Sequence, residues 1–276
     1  MRLLPNSIRK RLAYLYYEKG WRHPLNQFLV YAKGAFAKPK NRKVTFILFA
    51  QGRTGSTVLT DLIKKSSQIH CDGEIFGAFM PIKILFPTYY KRSLARVSTA
   101  PIYGYRIKIY DLIMFHNHTF QESIEFMRNE FNNGNKIIFL NRENKFRQAM
   151  SSLVAEARGT YHQKKGANGL AEKVVVDAKS IPERIEKLKQ FSSWEKEALA
   201  GFDYLEINYE KDLLPPDRHQ ATLDRITEFL GVEACAADSQ YKRSSDDDIS
   251  KYVENHEEVL SILRSSGNEF YLNSKK

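Results

Sequence analysis

Residues 44–63, VTFILFAQGRTGSTVLTDLI, run from an apolar segment through a Gly-rich turn into a second apolar segment. Val44 to Ala50 is continuously apolar, which is typical of a strand buried on both faces. From Thr57 onward the apolar residues recur on one side of a helix. A strand that enters a helix through a Gly-rich turn predicts an α/β fold, with a loop whose backbone N–H groups and helix dipole favour an anion.

The loop QGRTGST carries residues suited to an oxyanion site. Its glycines let the chain turn tightly and let an anion approach the backbone, and Arg53 offers a planar fork that matches a tetrahedral oxyanion. A nucleotide kinase would show the pattern GxxxxGK[ST], but Ala50 and Ser56 stand at its first glycine and its lysine. The alternative is a serine-rich turn that only caps the helix. The candidate binding residues are Gln51, Gly52, Arg53, Thr54, Gly55, Ser56 and Thr57.

Strand-like and helix-like segments alternate along the rest of the chain. Strands are predicted at 102–110, 136–140 and 204–207, and helices at 57–65, 123–132, 146–158, 180–200, 221–230 and 255–264. Ser180 and Glu183 form a capping-box pattern at the start of the longest helix. This order predicts a P-loop NTPase-like three-layer α/β fold with a central parallel sheet flanked by helices. Ligands bind at the carboxyl ends of such strands, so a site is expected in the turns after Ala50 and Leu140.

The net charge of +11 in 276 residues is concentrated near the N-terminus. Residues 1–43 hold eleven Lys or Arg and one acid, Glu18, and this leaves residues 44–276 nearly neutral. We therefore predict a basic amphipathic N-terminal arm over 1–43 and a folded domain over 44–276. Because the domain has little net charge with which to neutralise phosphates, nucleic-acid binding is not expected.

The arm carries Leu4, Ile8, Leu12 and Leu15 at near-helical spacing. A basic amphipathic segment is typical of an element that lies on an anionic membrane surface, and the alternative is a solvated helix packed on the domain. The sequence shows no apolar run of about 20 residues and no signal-peptide pattern. We expect a cytoplasmic protein, with the arm as a means of peripheral attachment to the inner face of the membrane.

A second segment, IIFLNRENKFRQAMSS at 137–152, complements the loop. Arg142 follows a predicted strand, and Ser151 lies nine residues later with Ser152 beside it. A fixed guanidinium and a hydroxyl on the next helix can together hold a phosphate group. With QGRTGST, this segment resembles the sulfotransferases that use 3′-phosphoadenosine 5′-phosphosulfate (PAPS). In that family the loop binds the 5′-phosphosulfate, and the arginine and the serine bind the 3′-phosphate.

The interval between Arg142 and Ser151 resembles the bacterial carbohydrate branch of the family, whose members act on trehalose, nodulation factors and lipopolysaccharide. The resemblance extends over residues 44–264 and implies PAPS as co-substrate and a carbohydrate or glycolipid acceptor. No Walker-type acidic run is present, and no metal is expected. The common family spacing places the serine one residue earlier, so that either Ser151 or Ser152 can contact the phosphate. The acceptor, the sulfated position and the oligomeric state stay open.

Glu74, in the segment CDGEIFG, is the candidate general base. It lies twenty-one residues after Arg53, the interval at which the resembling branch has a glutamate that contacts the acceptor and is its proposed base. Sulfuryl transfer to a hydroxyl needs a base within hydrogen-bond reach and cations near the leaving phosphate. Arg53 is therefore the second catalytic candidate, and either Arg106 or Lys108 is expected to face the sulfuryl group.

Several alternatives stay open at the level of the sequence. Free histidine side chains titrate near neutrality, so His70, His116, His118 or His162 could act as the base in place of Glu74. A nucleoside or sugar kinase with a degenerate loop is one alternative function. A non-catalytic protein that binds anionic surfaces through its basic arm is another.

Overall fold

A computed structural model describes residues 22–37, 44–77, 84, 86–116, 118–159, 173–238 and 248–273. The strands are β1 Val44–Ala50, β2 Ile69–Glu74, β3 Ile102–Ile107, β4 Lys136–Asn141 and β5 Leu205–Asn208. The α-helices are α1 Arg22–Phe36, α2 Ser56–Ile63, α3 Pro87–Val97, α4 Ile109–His116, α5 Phe120–Asn132, α6 Lys145–Arg158, α7 Ile181–Leu199, α8 His219–Leu230, α9 His256–Ser265 and α10 Phe270–Asn273. Short 3₁₀ turns lie at Ala178–Ser180, Pro216–Arg218 and Ile249–Lys251, and a π-helical turn lies at Tyr209–Leu213.

The five strands form one parallel sheet in the order β2-β3-β1-β4-β5. Helices alternate with these strands along the chain and flank the sheet, which confirms the predicted three-layer α/β fold. The sequence predicts four of the strands but not β2, whose residues IHCDGE contain no apolar run. β3 is shorter than the predicted 102–110, since it ends at Ile107 and helix α4 begins at Ile109.

The chain divides into two compact units, the first of which comprises residues 1–49 and 67–137. In this unit β3 pairs in parallel with both β1 and β2. Gly104 of β3 is the register partner of Phe46 of β1, and a Cβ on Gly104 would lie 2.2 Å from atoms of the Phe46 ring. The ring therefore occupies the space that a side chain at this position would need.

The second unit comprises residues 50–66 and 138–276. β4 and β5 pair in parallel from Ile138 and Leu205 up to Asn141 and Asn208. Helices α6, α7 and α9 share one apolar core. Its members include Phe146, Met150, Ile181, Ile185, Tyr252, Leu263 and Tyr271.

Helix α7 begins differently from the prediction. Ser180 has helical backbone angles and caps no N–H group with its side chain. Its Oγ instead donates to the carbonyl oxygen of Asp177 at 2.8 Å. The capping-box prediction for Ser180 and Glu183 is therefore wrong, because an N-cap residue needs a non-helical backbone.

Helix α1 is the described part of the predicted arm. Tyr31 of α1 stacks on Tyr89 of α3 at 5.5 Å between ring centroids and meets Phe86 edge-on at 6.3 Å. Residues 1–21 and 38–43, with the predicted amphipathic spacing, lie outside the described residues, and the boundary between arm and domain stays a prediction. None of the helices in the described part of the chain is long and apolar enough to cross a membrane.

Candidate functional site

The loop Gln51–Thr57 leaves β1 with an uncommon backbone. Arg53 has a φ of 63°, which places a non-glycine residue in the left-handed region. Gly55, the N-cap of α2, has a φ of 87°, and a Cβ on it would lie 2.6 Å from the Tyr209 ring. Thr54 Oγ1 donates to the carbonyl oxygen of Gln51 at 2.8 Å and closes the turn. Both the backbone conformation and the neighbouring ring therefore require glycine at position 55.

The structure brings the two predicted halves of the site together. Arg53 Nε donates to Ser151 Oγ at 2.9 Å. Arg142 Nη1 donates to the carbonyl oxygen of Arg53 at 2.8 Å. Two guanidinium groups and a hydroxyl from segments far apart in sequence thus lie within one hydrogen-bonded cluster, and the serine of this cluster is Ser151.

Arg142 is buried and is oriented from several sides. Its guanidinium carbon lies 4.3 Å from the centroid of the Tyr209 ring, a cation–π distance. Its Nε lies 3.8 Å from Glu210 Oε1, and that carboxylate also accepts from the backbone N–H groups of Glu143 and Asn144 at 3.0 and 3.1 Å. The direction of the guanidinium is therefore set before any ligand binds.

A buried polar network lies behind the loop. Gln51 Nε2 donates to Glu195 Oε2 at 2.7 Å and to Ser192 Oγ at 3.0 Å, both on α7. Gln148 Nε2, from α6, donates to the carbonyl oxygen of Gly52 at 2.7 Å and to Gln51 Oε1 at 3.2 Å. The Gln51 side chain thus holds the loop in place. The sequence predicts Gln51 as a residue that binds the ligand.

Lys145 belongs to the same network from the first turn of α6. Its Nζ donates to the carbonyl oxygen of Arg142 at 2.5 Å. Burial lowers the pKa of Lys145 and raises the pKa of Glu195, and each group opposes the shift of the other through its charge. One buried acid and one buried base therefore lie beneath the loop and beneath Arg142.

The remaining loop residues are Thr54, Ser56 and Thr57. Thr54 and Ser56 are buried, and Thr57 is half-buried at the start of α2. The carbonyl oxygen of Ser56 accepts from Thr60 Oγ1 at 2.7 Å, which ties the first turn of the helix to the second. The first turn of α2 has no side-chain cap from Gly55, and its N–H groups suit an anion.

Glu74 lies in a charged cluster at the end of β2 in the first unit. Its Oε1 lies 2.8 Å from Lys108 Nζ and 4.0 Å from Arg106 Nη2. Arg106 is the register partner of both Glu74 and Leu48, so that the cluster lies near the carboxyl ends of three neighbouring strands. The structure thus places Glu74, Arg106 and Lys108 together, and both cations that the sequence offers face the same carboxylate.

A further acid, Asp111 of α4, belongs to the Glu74 cluster. A Cβ on Gly77 would lie 2.9 Å from Asp111 Oδ2 and 3.1 Å from Glu74 Oε2, so the two carboxyl groups face the same glycine. Asp111 Oδ2 is buried and accepts no hydrogen bond from any residue that the structure describes. Burial raises the pKa of Asp111 to about 6. The charge of Lys108 opposes this shift, and the charge of Glu74 adds to it. The sequence does not identify Asp111 as part of this cluster, because Glu74 and Gly77 lie in a segment more than 30 residues away.

The described histidines are engaged in other contacts. His70 Nε2 lies 3.0 Å from Asp72 Oδ1 at the surface, and the ring of His118 packs edge-on against Phe126 at 5.8 Å. His116 is buried, and its Nε2 donates to the carbonyl oxygen of Phe76 at 3.1 Å. His162, the fourth candidate, lies outside the described residues.

Glu195 is not among the site residues predicted from the sequence, although the sequence contains a signal for it. Apolar or small residues recur along one stripe of α7, and Glu195 stands on this stripe, three residues after Ser192 and four before Leu199. A carboxylate in a stripe that should be buried predicts a specific polar partner. That partner, Gln51, lies 144 residues away in sequence, and only the fold identifies it.

Comparison with solved structures gives a sulfotransferase from Alicyclobacillus acidocaldarius, at 15% sequence identity and a TM-score of 0.49. The match covers 86% of this chain and 98% of that chain. No family model matches the sequence, and no curated protein matches it. Among the described residues, no group of three or more His, Cys, Asp or Glu side chains could hold a metal ion. A likeness at this level leaves the function to be inferred from the side chains of the site.

Asp111→Asn should change how stability depends on pH. The folded-state pKa is raised from 3.8 to about 6, so the contribution of this group is complete below the unfolded value and is lost as the pH rises through the folded value. Above pH 6 the ionised group should cost the folded chain about 3 kcal/mol relative to acid conditions. When urea unfolding is measured from about pH 3.5 to 7, the free energy of unfolding of the Asn variant should rise by about 3 kcal/mol relative to that of the wild type.

The matched control for this measurement is Asp203→Asn, at an exposed acid. A stability difference between wild type and Asp111→Asn that stays constant across the pH range would contradict the buried, ionisable state of Asp111.

Proposed function

We propose that this chain is a sulfotransferase that moves a sulfuryl group from PAPS to a hydroxyl of a carbohydrate or glycolipid. The observation that carries the proposal is the contact of Arg53 with Ser151 and of Arg142 with Arg53. Two segments that resemble the two donor-binding motifs of one family meet in one cluster. A kinase is disfavoured because Ser56 stands where the phosphate-binding lysine would be.

The donor has two anionic ends, and the site offers a cation for each. The loop N–H groups at the start of α2 and the guanidinium of Arg53 would bind the 5′-phosphosulfate, with Ser56 and Thr57 as hydroxyl donors. The Thr54 hydroxyl already donates to the carbonyl oxygen of Gln51 and would hold the turn closed. Arg142 and Ser151 would bind the 3′-phosphate. Because Arg142 is already held by Tyr209 and Glu210, its alignment costs little on binding.

Transfer itself needs a base for the acceptor hydroxyl. We assign this role to Glu74: its carboxylate takes the acceptor proton, the acceptor oxygen bonds to sulfur, and the bond from sulfur to the phosphate oxygen breaks. Adenosine 3′,5′-bisphosphate leaves with the electrons of that bond, and Arg53 meets the charge on it. Lys108 and Arg106 orient Glu74 through their contacts with Oε1.

A glycolipid acceptor would require the enzyme to work at a membrane, and helix α1 offers a contact surface for one. Phe28 and Phe36 are 65% and 90% exposed, and Lys33 between them is exposed as well. Exposed aromatic residues with neighbouring lysine are typical of elements that lie on anionic lipid. Residues 1–43 carry eleven basic residues, which adds charge complementarity. We therefore propose a cytoplasmic enzyme that attaches peripherally to anionic lipid through α1 and the arm.

Arg142→Ala should separate 3′-phosphate binding from the rest of the donor site. Isothermal titration should show a loss of roughly 100-fold in affinity for adenosine 3′,5′-bisphosphate, because a buried charge-assisted contact is removed. Affinity for AMP, which lacks the 3′-phosphate, should fall by about tenfold at most, through the loss of the Arg142 bond to the Arg53 carbonyl oxygen in the loop. Arg184→Ala, at an arginine that pairs with Glu156, is the matched control. Equal losses for both nucleotides, or magnesium-dependent consumption of ATP, would contradict the assignment.

Glu74→Gln should lower turnover and leave donor binding intact. An amide cannot accept the acceptor proton, so the rate of transfer from labelled PAPS should fall about 100-fold or more. The dissociation constant for adenosine 3′,5′-bisphosphate should not change. Glu125→Gln, at an exposed acid of α5 in the same unit, should keep the full rate. A normal rate in Glu74→Gln would return the role of base to a histidine.

The double variant Phe28→Ser/Phe36→Ser should lose binding to anionic vesicles. Co-sedimentation with phosphatidylglycerol vesicles should fall to the level that the wild type shows with phosphatidylcholine, since both the exposed aromatic area and the lipid charge contribute. Transfer to a water-soluble acceptor should be unchanged. Undiminished sedimentation of the variant would exclude α1 as the contact surface.

A further inference from the structure

We propose that Glu195 is a positioning residue of the donor site: from helix α7 it fixes the Gln51 side chain and, through it, the backbone of the loop Gln51–Thr57. The inference rests on the proposed function for the identity of the ligand. It assigns to α7, which follows both donor-binding segments in the sequence, a part in shaping the site.

The contacts form a continuous path from α7 to the loop. Glu195 Oε2 accepts from Gln51 Nε2 at 2.7 Å. Gln51 Oε1 accepts from Gln148 Nε2 at 3.2 Å, and Gln148 Nε2 also donates to the carbonyl oxygen of Gly52 at 2.7 Å. The side chain of the first loop residue and the backbone of the second are therefore held from helices α6 and α7.

The backbone of Arg53 explains why the loop needs this support. Its φ of 63° is an unfavourable conformation for a residue with a side chain. Such a conformation persists where the surroundings over-determine it. The turn bond from Thr54 to Gln51, the bond from Gln148 to Gly52 and the bond from Arg142 to Arg53 each fix one carbonyl of this turn. Gln51 is the point at which the turn is tied to α7.

A glutamate at this buried position is unfavourable for folding, so its presence indicates that its contact with Gln51 matters. It is 2% exposed and stands on the buried stripe of α7. Burying a carboxyl group is unfavourable, and apolar side chains often fill such positions at lower cost. Burial accordingly raises the pKa of Glu195, while the bond from Gln51 and the charge of Lys145 act in the opposite direction. Lys145 in turn donates to the carbonyl oxygen of Arg142, so the polar core beneath the loop also supports the 3′-phosphate arginine.

Two substitutions at position 195 distinguish the effect of side-chain length from the effect of charge. Glu195→Gln keeps the length of the side chain and an oxygen that can accept from Gln51, but it removes the charge. Glu195→Asp keeps the charge and withdraws the carboxylate by one methylene. Titration with adenosine 3′,5′-bisphosphate should show the Asp variant about tenfold weaker and the Gln variant within about threefold of wild type.

A double variant tests whether the effect passes through Gln51. Gln51→Ala combined with Glu195→Asp should bind no more weakly than Gln51→Ala alone, because coupled residues are not additive. Glu186→Gln, at an exposed acid of α7 that pairs with Lys189, is the matched control and should bind as wild type. Full additivity of the two changes would contradict a path through Gln51.

The side-chain amide signal of Gln51 in the ligand-free protein separates this inference from the proposed function. In ¹⁵N NMR spectra it should shift in Glu195→Asp and stay in place in Glu195→Gln. If the wild type fails to bind the bisphosphate while the Gln51 signal behaves as expected, the proposed function is wrong and the positioning role stands. If the wild type binds and Glu195→Asp binds equally well, or if Glu195→Gln loses affinity tenfold, the positioning role is wrong. Should the Asp variant fail to fold, Glu195→Gln and Gln51→Ala decide together: the first should keep the affinity for the bisphosphate and the second should lose about tenfold, and equal affinity in both would contradict the positioning role.

Discussion

The hydrogen bond from Arg142 Nη1 to the carbonyl oxygen of Arg53 joins segments 89 residues apart, and the geometry of the candidate donor site depends on it. It fixes the turn in which Arg53 adopts a left-handed backbone, and it orients two guanidinium groups in one cluster. A guanidinium bound to a carbonyl keeps donors for an anion, since it has five N–H groups in a planar fork. The same group can therefore serve the fold and a ligand.

The sequence predicts those parts of this arrangement that depend on local patterns. The apolar run of β1, the Gly-rich turn after it and the position of Arg142 after β4 follow from hydrophobicity and spacing. The parallel sheet follows from the alternation of strands and helices. β2 escapes prediction because its six residues include two acids and a glycine, and its strand conformation comes from pairing with β3.

The supporting residues escape prediction for a different reason. The hydrogen bond between Glu195 and Gln51 exists only after the strands and helices have packed. Local sequence propensity therefore does not predict it. The error at Ser180 is instructive in the same way. Its pattern with Glu183 fits a capping box, but the preceding 3₁₀ turn at Ala178–Ser180 already fixes a helical backbone, so the hydroxyl bonds backward to Asp177.

Asp111 and Glu195, two of the buried acids among the described residues, show how environment assigns roles to one functional group. Within the described part of the chain, one oxygen of Asp111 has no hydrogen bond and lies beside Glu74 and two cations, so its charge can change with pH and alter the local field. Glu195 is bonded to an amide of the loop, and its value lies in direction more than in charge. A group that acts through its charge tolerates another acid whose charge is slightly displaced. A group that acts through the direction of its hydrogen bond tolerates a neutral residue of the same length. Geometry, and not the presence of a carboxylate, therefore distinguishes a group that tunes chemistry from one that shapes a binding loop.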